Sequence, residues 1–122
     1  MEGLKSPRER ACIAIRIGEF CAATTILDDC ENSMDTNYLR YLAITTRSFL
    51  LHCMVLKTDH EKLQTLDDIA QWKAKKTLKG NYQKALDCYE DISYIAKRCN
   101  AELPKTVHDR GNQLREYLCD KI

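Results

Sequence analysis

The chain has 122 residues, 44 % of them hydrophobic and 30 % charged, which is enough for one packed core and too little for two. Lys and Arg number 19 against 18 Asp and Glu, a net charge of +1. That balance excludes a whole-domain electrostatic grip on nucleic acid or on an anionic membrane, and leaves only a local patch for either.

Glycine and proline are scarce, at 4 and 2 residues. Long helices with short connections therefore become available. The β-branched residues nowhere alternate with polar ones over a strand length, so the chain reads as all-α. The seven cysteines are odd in number and form no CxxC pair, and no apolar leader opens the sequence. The expectation is a reducing, cytoplasmic setting in which thiols serve mainly as small core hydrophobes.

The first helix opens at Ser6-Pro7-Arg8-Glu9, with Ser at the N-cap, Pro at N1 and Glu at N3. Ile13, Ile17, Phe20, Thr24 and Leu27 then recur at spacings of four and three. Read this way, one helix continues to the Asp, Asn and Ser cluster that ends the segment near residue 32. Ser33 or Asp35 caps the second helix, whose stripe is Leu39, Leu42, Thr46, Phe49, Cys53 and Leu56. Tyr38, Leu50 and Met54 thicken that stripe, giving it more apolar surface than one core face needs.

Thr58-Asp59-His60-Glu61 reads as a capping box, and Thr65-Leu66-Asp67-Asp68 as a competing start. Residues 59–65 are thus open between helix and loop. A third stripe runs through Leu63, Leu66, Ala70 and Ala74 to Leu78. Gly80 reads as a left-handed stop and Asn81 as the cap of the next helix. That helix carries Tyr82, Ala85, Tyr89, Ile92, Ala96 and Cys99. After Pro104 a last helix presents Val107, Gly111, Leu114 and Leu118. Gly111 on an apolar stripe implies close approach of a neighbouring helix. The expected architecture is a single domain over 1–122, an up-and-down antiparallel bundle of four to five helices.

Three segments bear on function. Arg47-Ser48-Phe49-Leu50-Leu51-His52 resembles the Arg, four residues, His pattern of HEPN-type helical ribonucleases. By that resemblance Arg47 would steady a phosphate and His52 would shuttle a proton. Five residues turn a helix by about 140°, which sets the two side chains on different faces. Gly80 through Tyr89 resembles the second helix of a tetratricopeptide repeat, which implies a helical hairpin turning at Gly80.

Trp72, Lys73, Lys75, Lys76 and Lys79, followed by Tyr82, form the most basic stretch. A basic helix with an aromatic ring can track phosphates and stack a base, or anchor a protein partner through Trp72. If the helix ends at Gly80, the same lysines simply complement its C-terminal dipole. Cys12, Cys21 and Cys30 lie nine apart, point in opposing directions and cannot converge on zinc. No metal or small-molecule cofactor is expected. The leading expectation is a non-enzymatic adaptor, inhibitor or regulator that binds another protein or itself. An RNA-acting bundle is the alternative.

Overall fold

The structure, a computed structural model, describes residues 6–30 and 33–121. Among them the secondary structure is helical throughout: α1 (Pro7–Arg16), α2 (Phe20–Asp28), α3 (Met34–Leu63), α4 (Asp68–Arg98) and α5 (Lys105–Glu116). A π-helical turn, Tyr117–Lys121, extends α5. The helices pack on one another as the all-α reading requires, but the chain divides into them differently at two places.

The first difference lies at Gly18. Ser6 does cap α1, accepting from the Glu9 N–H at 3.2 Å with Pro7 at N1. The helix then stops, because Gly18 takes φ +87°. The Gly18 and Glu19 N–H groups donate back to the carbonyls of Ile15 and Ala14, at 3.1 and 2.8 Å. This pairing is a Schellman closure, which glycine permits without a Cβ penalty. The continuous stripe from Ile13 to Leu27 is therefore cut in two. Phe20 and Leu27 remain in the core, while Ile17 is left exposed at the break.

The second difference lies at Thr58 and Gly80. Ser33 caps α3 through a reciprocal capping box with Thr36. The helix then runs through Thr58 to Leu63, so the expected break there does not occur. The hydroxyl of Thr58 donates to the Met54 carbonyl inside the helix, instead of capping a new one. The true turn is residues 64–67, and Asp67 caps α4 by accepting from the Ala70 N–H at 2.8 Å. Gly80 and Asn81, expected to stop one helix and start another, lie inside the 31-residue α4. The helix ends with a second Schellman closure at Asn100, whose φ is +53°.

α3 and α4 form an antiparallel hairpin about 45 Å long. Phe49 stacks on Tyr89 with ring centroids 5.8 Å apart, and His60 reaches Tyr82 near the hairpin's turn. The core is the stripe expected of each helix: Leu39, Leu42, Thr46, Phe49, Cys53 and Leu56 meet Tyr82, Ala85, Tyr89, Ile92 and Ala96. α5 seals this layer with Val107, Gly111 and Leu114. α1 and α2 cover the other end through Ala11, Ile15, Phe20, Ala23 and Leu27.

Two arginines tie the ends together by capping helix carbonyls. Arg8 donates to the Cys99 carbonyl at the end of α4, and Arg40 to the Leu27 carbonyl of α2. Their partly exposed contacts with Asp35 and Asp28 add little beyond this.

Candidate interaction surface

α3 carries two apolar faces. The inward one is the core stripe. On the opposite side stand Ile44, Leu51, Met54 and Val55, between 48 and 61 % exposed, with Tyr41 at 50 % on their flank. Ile44, Ser48, Leu51 and Val55 are spaced by four, three and four, so they share one line along the helix. Helices normally set charge on the solvent side. Here the outward line is aliphatic, with one small residue, Ser48, in its middle. Of the residues that thicken the stripe in sequence, Met54 belongs to this exposed set and Leu50 packs against the core; Ile44, Leu51 and Val55 are additional.

Tyr41, Thr45, Ser48 and His52 also border shallow grooves between the two long helices. Lys84, Asp87, Cys88 and Asp91 line the α4 side. His52 is exposed in one of these grooves, and Arg47, also exposed, does not line it. The groove that His52 lines thus does not bring Arg47 to it.

α4 presents a different outer face. Ile69, Lys73, Lys76, Gly80, Gln83, Asp87, Glu90 and Tyr94 are all exposed and follow an unbroken alternation of four and three. Trp72, 59 % exposed, lies beside the basic half, with the Lys76 ammonium 3.9 Å from its ring centre. Such an exposed cation–π contact contributes about 0.5–1 kcal/mol. Lys75 and Lys79 are exposed alongside.

Tyr82, grouped with these lysines from the sequence, is not on this face. It is 3 % exposed and stacked on Tyr117, with centroids 5.2 Å apart and planes 2° from parallel. The reason is rotational: nine residues beyond Lys73 and six beyond Lys76, Tyr82 is turned by about 180° and about 120° from them, onto the core stripe shared with Ala85 and Tyr89. The dipole account of the lysines also falls. α4 continues for 19 residues after Lys79, and the dipole acts only within the last turn.

One cluster was not legible in the sequence. His60, Tyr82 and Tyr117, from α3, α4 and the π-helical turn, stack at one end of the bundle. With Cys53, Arg110 and Gln113 they line a cleft of about 160 Å³. Burial pushes the Tyr82 phenol up to about 12, helped by the nearby Tyr117 and Asp59. Burial likewise raises the Cys53 thiol to about 11, against the opposing pull of Arg110. Both groups are thus held neutral and unreactive near pH 7. The cleft is smaller than the roughly 300 Å³ at which ligand pockets begin. The only sequence signal for it was the position of Tyr82 on its stripe, since the other members come from distant segments.

Among the described residues, no group of three or more His, Cys, Asp or Glu is arranged to hold a metal ion, and no helix is long and apolar enough to cross a membrane. Compared with known protein families, curated proteins and solved structures, the chain matches none.

Proposed function

We propose that this chain is a non-enzymatic protein–protein interaction module, an adaptor, inhibitor or regulator that binds through the outer surface of its α3–α4 hairpin. The observation that carries this reading is the outward aliphatic line of α3. Ile44, Leu51, Met54 and Val55 are about half exposed or more on a helix whose other face already fills the core. Contiguous apolar surface rimmed by polar residues is the mark of a partner site. Arg47, Ser48, His52 and Thr58 supply such a rim, all of them exposed.

The test is a paired isolation of the tagged wild type and an Ile44→Asp/Leu51→Asp variant from its native cells. The reading expects a defined co-purifying protein that is lost with the variant, while the helical circular-dichroism signal stays the same. Identical co-purified sets from both chains would contradict it.

A second reading, an RNA-binding face, is favoured by one observation. Trp72 and four lysines, Lys73, Lys75, Lys76 and Lys79, are exposed within two turns of α4. Base stacking on an aromatic ring beside a basic track is a recognised mode of single-strand binding. Asp87, Glu90 and Asp91 further along the same helix oppose it by repelling phosphate. Fluorescence anisotropy of a mixed-sequence single-stranded RNA at low salt decides the matter: no binding there ends this reading.

A further inference from the structure

The outer stripe of α4 is chemically palindromic. In chain order it reads apolar Ile69, basic Lys73 and Lys76, then Gly80 and Gln83, then acidic Asp87 and Glu90, and apolar Tyr94. The geometry points to a second copy of this chain as its occupant, with the two α4 helices antiparallel and crossing between Gly80 and Gln83. A two-fold axis there sets Ile69 opposite Tyr94, Lys73 opposite Glu90, Lys76 opposite Asp87 and Gly80 opposite Gln83. Each pairing occurs twice. This rests on the reading of the chain as an interaction module and names the partner of its α4 face.

Three independent observations support this occupant. The first is the segregation of charge. Within α4 the outer face sets like charges side by side, Lys73 with Lys76 and Asp87 with Glu90, each three residues apart. Such neighbours repel along a helix, and the basic half lies nearer the N-terminus, where the dipole offers cations nothing. Among the described residues, the salt bridges join Arg8, Arg16 and Arg40 to Asp35, Glu102 and Asp28, and none uses these lysines. Within the chain Asp87 accepts from Gln83 Nε2 at 3.0 Å and Lys76 lies over the Trp72 ring, contacts that leave the charges unneutralised, whereas between two copies they become complementary.

The second observation is spacing. Residues 69–94 at spacings of four and three share one exposed line along the helix, about 38 Å long, so the charges of a second copy can be met all along it. Antiparallel alignment matches opposite charges, whereas parallel alignment would set lysine on lysine and acid on acid. The third is Gly80. A Cβ there would meet nothing within 4 Å, so the fold of the single chain gives no reason for glycine. At the crossing point its bare backbone allows close approach of the second helix.

The experiment is light-scattering mass determination on the whole chain at high protein concentration and low salt. The wild type is expected at twice the chain mass, dissociating as salt is raised. Lys73→Glu/Lys76→Glu and Asp87→Lys/Glu90→Lys are each expected to weaken self-association by roughly tenfold or more, since every pair becomes like-charged. Mixing the two variants restores all four pairs and is expected to return a mixed dimer, which also shows that both variants are folded. A monomeric wild type, dimers in either variant alone, or no association on mixing overturns the proposal. A monomeric wild type does so without touching capture of another protein through α3, which the isolation experiment reads separately.

Discussion

The ring of Tyr89 lies flat against the backbone of Gly111, so close that a Cβ at 111 would clash with its Cε2, Cζ and Cδ2. The ring cannot swing aside. Phe49 stacks on it at 5.8 Å, its hydroxyl is hydrogen-bonded to His108 Nδ1 at 3.0 Å, and Arg115 lies over it. α5 is thereby seated on the α3–α4 hairpin at a contact only glycine allows. Gly111→Ala is expected to destabilise the chain by about 1–3 kcal/mol through overpacking, despite the better helix propensity of alanine. Urea denaturation checks this, and an unchanged midpoint would refute the seating.

Gly80 predicts the opposite sign. It lies inside α4 with open space where its side chain would be. Gly80→Ala is expected to stabilise the monomer by about 0.5–1 kcal/mol, because a helix-interior glycine is costly and nothing here requires one. The measurement is urea denaturation at high dilution, where self-association does not contribute. A loss of stability would mean that α4 is bent or broken at this position.

A third glycine tests the break between α1 and α2. With φ at +87°, Gly18 holds a conformation that an L side chain adopts only with strain. Gly18→Ala should lower stability by about 1 kcal/mol even though its Cβ would meet no atom within 4 Å. No change in the thermal midpoint would indicate a continuous helix through residue 18.

Alkaline pH should destabilise the fold. Burial holds the Cys53 thiol at about 11 against 9.0, and the Tyr82 phenol at about 12 against 10.0. Between those values the folded chain keeps protons that the unfolded chain has released. Stability therefore falls as pH rises from about 9, and the loss is complete only above about 12. Thermal melts across this range should show the decline, and Cys53→Ala should make its first part shallower, Cys12, Cys88 and Cys99 still contributing because burial raises them too. A midpoint independent of pH up to 11 would contradict the burial of both groups.

The stripes of Leu39 to Leu56, Tyr82 to Cys99 and Val107 to Leu114 were readable because core burial imposes helical period directly on sequence. The close approach at Gly111 was readable for the same reason. Helix boundaries were harder, since glycine and threonine each have two roles. Gly18 stops a helix by turning left-handed, whereas Gly80 remains helical, and no neighbouring residue announces which. Thr58 can cap a helix or, as here, donate back into one. These choices are made by packing, for a stop at Gly80 would have removed the long partner that α3 needs.

The exposure of the residues proposed to bind was partly legible. Trp72 and the lysines from Lys73 to Lys79 are indeed exposed, whereas Tyr82 belongs to the core. The outward line of α3 was not legible: Tyr38, Leu50 and Met54 thicken the stripe in sequence, but Leu50 packs against the core and Ile44, Leu51 and Val55 carry the line. The palindrome of α4 emerged only once the helix was seen to be continuous through Gly80.

The most direct measurement of the interaction claim is site-specific photocrosslinking in native cells, with a photoreactive amino acid replacing Leu51. A matched control places it at Glu116, exposed at the end of α5. A discrete adduct with another protein is expected from position 51 and absent from position 116. Uncrosslinked chain alone from position 51, or the same adducts from both positions, would contradict it.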